Sequence, residues 1–156
     1  MDLTVFATVL AGVLTFVFGQ IVVKLVIEPV QETRKTIGKV AHGMVMHASV
    51  ISNPGVPSNE VMHETSKDLR TLSSELHSHL RLVPWYSTTA IVFGLPSYQQ
   101  ILAALSSLIG LSNSVYRNTG TVYEANAKRV EQIHDSLGIY LADGERPSKL
   151  GSLPIV

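Results

Sequence analysis

The chain has 156 residues, enough for one ordinary domain and an additional helix. Apolar residues make up 46% and charged residues 15% of it, where about 25% charged is usual, so the composition leans toward membrane proteins. The 12 basic residues balance the 12 acidic ones, which argues against a DNA-binding protein with a broad basic face. Cysteine is absent, which excludes disulfides and thiolate metal sites and fits a reducing cytoplasm.

The first predicted element is a transmembrane helix over about residues 3–27. The 21 residues 3–23 carry no charge, and at about 1.5 Å per residue they extend roughly 32 Å, the thickness of the hydrocarbon core. The alternatives are a cleaved signal peptide and a buried helix of a soluble protein. A signal peptide has a basic start and a small-residue cleavage site, whereas the only side-chain charge before this run is that of Asp2 and no such site follows it. The sequence favours an anchor formed by residues 1–28.

Basic residues flank this segment on one side only. They follow it and none precedes it: Lys24, Arg34, Lys35 and Lys39. Because positive charge accumulates on the cytoplasmic side, we expect the N-terminus outside and the rest of the chain in the cytoplasm. For a bacterial protein this orientation corresponds to the inner membrane.

Small residues recur at four-residue steps along the predicted span. The residues that we expect to form an oligomerisation surface are Ala7, Ala11, Gly12, Thr15 and Gly19. Small side chains let helix backbones approach closely in lipid. A lone span has only lipid or copies of itself to pack against, so the stripe predicts a homo-oligomer within the membrane lipid.

Residues 29–142 are predicted to form a small cytoplasmic helical bundle, which makes the fold all-α. Pro29 is expected to kink or interrupt the first helix, whose helical pattern resumes to about residue 52. Residues 53–58 contain two prolines and a glycine and predict a turn. Ser58 or Asn59 is expected to cap the next helix, which ends before Pro84.

Further along, Ser97 and Gln100 match a capping box and open a predicted helix over residues 98–114. This helix is apolar on most sides and is expected at the centre of the bundle. A last helix is predicted over about residues 121–140. Residues 143–156 hold two prolines and two glycines and are expected to form a loose tail.

The segment Leu82–Tyr116 contains no charged residue, so its location needs an argument. A second span and association with the membrane surface are alternatives, but the polar cluster at residues 96–100 would be costly in lipid. We favour a protein core, with Trp85 and Tyr86 as core aromatics rather than an interfacial belt. Residues 84–96 are expected to form a connection with a β-like or buried stretch at Ala90–Phe93.

The six histidines do not show the spacing of a metal site. Ligands on a helix come in pairs at i and i+4, whereas His42 and His47 are five apart and His77 and His79 are two apart. Phosphate-binding loops and nucleophile motifs are also missing from the sequence. We therefore predict neither a metal nor a cofactor.

One short pattern suggests chemistry. Arg129 and His134 are separated by four residues in the last predicted helix, and Arg70 and His77 form a second pair separated by six. The Arg-x4-His pattern resembles the signature of the HEPN superfamily, compact α-helical domains that usually dimerise. In ribonuclease members the motif arginine and histidine of two subunits meet in a cleft. The resemblance implies that Arg129 would neutralise the scissile phosphate and His134 would transfer a proton.

The whole layout resembles one group in particular. An N-terminal membrane helix, a helical domain of about 110 residues and a divergent Arg-x4-His near the C-terminus are similar to the small membrane accessory proteins of type VI-B CRISPR systems. The resemblance implies a non-enzymatic membrane pore or permeability effector in antiviral defence, with an RNA-guided effector complex as a possible partner. A membrane-tethered HEPN-like ribonuclease and a membrane anchor that recruits a soluble partner are the alternatives.

Overall fold

The computed structural model describes residues 2–141 and Arg146, and every element in this part of the chain is helical. The all-α prediction is therefore confirmed, with one N-terminal helix long and apolar enough to span a membrane and a helical bundle after it. In chain order the elements are α1 (Leu3–Val22), a π-helical segment (Val23–Ile27), α2 (Glu28–Met46), α3 (Ala48–Ser52), α4 (Asn59–Leu82), α5 (Tyr86–Phe93), α6 (Tyr98–Ser114) and α7 (Gly120–Leu137).

The first helix continues without a break through Pro29. Helix α1, the π-helical segment and α2 form one helix, Leu3–Met46, of 44 residues. Proline removes a backbone N–H and crowds the preceding turn, and the turn before it is widened, so that the Glu28 N–H donates to the Val23 carbonyl five residues back. Of the two expected outcomes at Pro29, a kink or an interruption, the interruption is wrong: the helix continues, and the wider turn accommodates the proline ring.

Helix α6 lies at the centre of the bundle, as its sequence predicted. It packs against α4 on one side and α7 on the other, and α2 packs against α4. The largest fully buried side chains of this core are Leu69, Leu76, Leu80, Ile101, Leu108, Leu111 and Ile133. Burying a leucine or isoleucine stabilises the fold by about 1.5–3 kcal/mol, so this layer holds the bundle together.

The predicted caps are confirmed, and each is a local bond between a side chain and the backbone. Ser58 accepts from the Val61 N–H at 3.4 Å and begins α4. Ser97 and Gln100 form the reciprocal capping box at 3.3 and 2.7 Å and begin α6.

Helix α7 ends at Leu137, earlier than the predicted Tyr140, because Gly138 adopts a left-handed conformation at φ +66°.

Residues 84–96 differ from their prediction. Ala90–Phe93 belong to helix α5 instead of a β-like stretch, and Gly94 ends that helix with φ +63°. Trp85 is not a core residue, since its side chain is 82% exposed. Tyr86 is half-buried, its hydroxyl donates to the Pro96 carbonyl at 2.7 Å, and burial raises the pKa of Tyr86 to about 12.

The predicted loose tail at residues 143–156 lies outside the described residues except for Arg146. The Arg146 guanidinium lies 2.9 Å from the Asp135 carboxylate and 3.8 Å from that of Glu131. These contacts place Arg146 beside the last two turns of α7.

Candidate functional site

Helix α1 is exposed at every residue, which makes it the most unusual surface of the chain. The rest of the described structure buries no residue of its most apolar 18-residue stretch. Two of its three threonines donate to their own helix, Thr8 Oγ1 to the Thr4 carbonyl and Thr15 Oγ1 to the Ala11 carbonyl, both at 2.9 Å. These bonds satisfy the hydroxyls without water, which is what a helix in lipid requires.

The small residues of α1 form an open strip on this surface. Ala7, Ala11 and Thr15 are exposed, and a Cβ added to Gly12 or Gly19 would meet no atom within 4 Å. A neighbouring helix can therefore approach the backbone here at close range. The geometry provides a helix-packing surface that residues 2–141 leave uncovered.

Three of the four cations that follow α1 form bonds within the bundle. Lys35 pairs with Glu32 at 2.7 Å, and this hydrogen bond lowers the pKa of the Glu32 carboxyl. Lys39 pairs with Glu75 of α4 at 2.8 Å. Arg34 donates to the Phe93 carbonyl at the end of α5, where a cation complements the helix dipole.

Arg129 and His134, the predicted catalytic pair, point into different surroundings. Arg129 packs so closely on Gly110 of α6 that a Cβ there would lie 2.5 Å from its Nε, and Nη1 donates to the Asn126 side chain at 3.2 Å. His134 is 6% exposed, and its Nδ1 donates to the Val130 carbonyl at 2.8 Å. In the described part of the chain, Arg129 and His134 bond to different partners and not to each other.

Each arginine of the two Arg–His pairs lines a cavity. Arg129 lines one of about 450 Å³ together with Arg117 and Asn113, so two arginines contribute to the same cavity. Arg70 and His77 line another of about 520 Å³ together with Ser73. Of the two pairs, the one with six intervening residues brings its arginine and histidine to a common cavity.

A hydrogen-bonded array of one aspartate, one histidine and one threonine, which the sequence did not indicate, lies where α2 meets α3. His47 Nε2 lies 3.1 Å from Asp68 Oδ2, and its Nδ1 lies 3.1 Å from Thr65 Oγ1. The order carboxylate, imidazole, hydroxyl is that of a nucleophile-activating triad. The Thr65 hydroxyl is buried, however, so no substrate can reach it. The array instead fixes the α2–α3 junction to α4.

Asn126 is a second polar centre that the sequence did not indicate. Its amide donates to the Ile51 carbonyl at 3.1 Å, and its oxygen accepts from Ser114 Oγ at 2.6 Å. It is buried and joins α3, α6 and α7. Such a fully bonded polar group fixes the packing of these helices.

The carboxylates and histidines of the described chain form no group of three or more that could hold a metal ion. Glu60 and Glu64, both in the first turns of α4, are exposed. Acidic side chains are favourable at this end of a helix, which accounts for their position.

Comparisons with protein-family models, with curated proteins and with solved structures found no match to this chain.

Proposed function

We propose that the chain is a single-pass membrane protein of the bacterial inner membrane that assembles into homo-oligomers through α1. The exposed apolar surface of α1 carries the proposal. Soluble monomers rarely expose a contiguous apolar patch above a few hundred Å², and the large apolar side chains of α1 are 45–83% exposed. Such a surface requires lipid or other protein to cover it.

The two other interpretations of α1 have less support. A buried soluble helix would be covered by its own domain, and the described bundle leaves α1 bare. A cleaved leader would be separable from the mature fold, but α1 runs without a break into α2, which places Val30 and Val40 in the core.

We propose the orientation that the flanking charges favour, with the bundle in the cytoplasm. Because the chain contains no cysteine, single cysteines can report it directly. We expect Asp2→Cys to react with a membrane-impermeant maleimide on intact spheroplasts and Val56→Cys to react only after lysis. The reverse labelling would contradict this orientation.

The oligomer is proposed to pack through Ala7, Ala11, Gly12, Thr15 and Gly19. A bulky side chain on this strip would separate the backbones, so we expect Gly12→Leu and Gly19→Leu to reduce the oligomer of the detergent-purified full chain. Val17→Leu is the matched control, since position 17 lies about 140° around the helix from position 12. A monomeric wild-type protein by light scattering, or equal effects of all three variants, would contradict the proposal.

As the working role of this assembly we propose a pore or permeability effector in antiviral defence, with an RNA-guided effector complex as its partner. The support is the exposed strip of α1 together with the resemblance in layout to type VI-B accessory proteins. We expect induced expression with that effector to depolarise the membrane and Gly12→Leu to reduce the effect. Retained recruitment of a soluble partner without depolarisation would favour the anchor function instead.

A membrane-tethered ribonuclease is the second candidate, favoured by the cavity that Arg70 and His77 share. His134 of the predicted pair is buried and would need a rearrangement to reach RNA. If the wild-type protein cleaves RNA, we expect His77→Ala to abolish cleavage. Loss of cleavage in His134→Ala instead would favour the pair Arg129 and His134. The absence of wild-type cleavage would rule the enzyme out.

A further inference from the structure

Helix α5 packs beside the first helix just after Ile27, where the apolar segment of that helix ends. Val30 packs in one cluster with Val83, Ala90 and Leu95, and Val30 is three residues beyond Ile27, about 4.5 Å along the helix. Arg34 bonds to the Phe93 carbonyl in the next turn. Helix α5 is therefore held beside the first turns after the apolar segment.

The outer side of α5 is uncovered and exposes large apolar side chains beside the hydroxyl residues Ser87 and Thr88. Trp85 is 82%, Ile91 84% and Val92 71% exposed, and the nearby Leu82 is 60% exposed. The segment Leu82–Tyr116 carries no charge, so placing this side of α5 in lipid would desolvate no ionised group. The inner side holds α5 to the bundle through Thr89 and Ala90, which are buried.

The backbone at Trp85 directs a large side chain outward at a cost. Trp85 has φ +44°, the one positive φ of a non-glycine residue in the described chain. A bulky residue in this region costs about 1–3 kcal/mol, and no burial within the bundle compensates for it. Tryptophan is favoured at the boundary between headgroups and acyl chains, which would supply the missing compensation.

We infer that α5 is an interfacial helix, with Trp85, Ile91 and Val92 inserted into the headgroup–acyl boundary of the membrane that α1 crosses. This inference rests on the proposed membrane span. Its occupant is lipid, because the exposed apolar residues of this segment adjoin the start of the proposed span: Leu82 lines a cavity with Leu25 and Pro29. The other residues that line this cavity are the charged Lys24, Glu28 and Glu32. The span together with α5 would then hold the bundle against the membrane at two points.

Trp85 is the only tryptophan in the chain and therefore reports its own surroundings. The experiment places the full chain in phosphatidylcholine vesicles with and without lipids brominated near the headgroup end of the acyl chain. We expect blue-shifted emission, strong quenching by the bromolipid and weak quenching by aqueous acrylamide. The control is Trp85→Phe/Val56→Trp, because Val56 is 66% exposed and follows α2, whose 18 steps from Glu28 to Met46 carry the chain about 27 Å away.

We expect bromolipid quenching several-fold greater at Trp85 than at the tryptophan at position 56. Ile91→Ser/Val92→Ser should shift the Trp85 emission to the red and reduce that quenching, with unchanged helix content by circular dichroism. Acrylamide quenching equal at both positions would overturn the inference, as would a Trp85 shielded from both quenchers, which would indicate a protein contact.

Membrane insertion of the proposed span is measured separately in the same vesicles, by a carbonate wash. Retention of the chain after a carbonate wash, together with a water-exposed Trp85, would overturn the interfacial helix and leave the proposed span standing. Loss of the chain from the vesicles would overturn both.

Discussion

Helix α1 and helix α6 are both free of charged side chains, yet α1 is exposed along its length and α6 lies in the centre of the bundle. Their polar groups show the difference. In α1 the Thr8 and Thr15 hydroxyls bond to carbonyls of the same helix. In α6 Ser112 and Ser114 do the same, but Ser107 also bonds to Gln132 at 2.8 Å and Ser114 to Asn126 at 2.6 Å, both in α7. Polar side chains that bond to a second helix are suited to a protein core, whereas hydroxyls that bond only within their own helix are tolerated in lipid.

The largest effect should come from removing core volume in α6. Leu108 is fully buried, so Leu108→Ala should reduce the free energy of unfolding by about 2–5 kcal/mol. The same change in α1, Leu14→Ala, removes no contact within the bundle and should leave its unfolding unchanged. Thermal unfolding of the full chain in detergent measures both. Equal destabilisation by the two variants would mean that α1 packs against its own bundle.

An added charge should reverse the order of the two helices, with a larger effect on membrane binding from α1 than from α6. Lysine at the centre of a span costs about 2.5–3.5 kcal/mol of insertion free energy, so Val13→Lys should lower the membrane-bound fraction after fractionation. Ile109→Lys adds the same charge to the partly exposed outer side of α6 and should leave that fraction unchanged. A larger loss from Ile109→Lys would indicate that α6 is the helix in lipid.

The smallest effect should come from single hydroxyls. Ser107→Ala removes a hydrogen bond between α6 and α7 and should cost about 0.5–1.5 kcal/mol of folding free energy. Thr15→Ala removes a bond within α1 and should not change the unfolding of the bundle. Chemical denaturation at matched detergent concentration resolves the two. Identical curves for Ser107→Ala and wild type would show that the inter-helix bond is energetically neutral.

The elements that the sequence predicted well are those set by local chemistry. The caps at Ser58 and Ser97 each join a side chain to a backbone N–H three residues on, and such signals are visible in the sequence. Helix α5 was missed because eight residues are too few to establish a period. Its inner side is set by Val30, more than fifty residues earlier in the chain.

The surroundings of the candidate site residues could not be predicted for a related reason. His47 meets Asp68 and Thr65 only because α2 packs on α4. Arg129 is half-buried because it fits over Gly110, a contact between α6 and α7. Exposure of Trp85 follows from its left-handed backbone after Pro84. These contacts depend on how helices pack, and the spacing of residues within one helix does not contain that information.

Because the helix from Leu3 to Met46 is unbroken, the number of residues between α1 and α2 sets the rotation of the bundle about the helix axis. Each residue turns the chain by about 100°, so deleting one residue from the π-helical segment Val23–Ile27 would swing the whole bundle by about that angle relative to α1. In the proposed homo-oligomer joined through α1, such a change would alter which side of each bundle meets its neighbour. The length of this five-residue segment would thus set the rotation of the bundle relative to the proposed span.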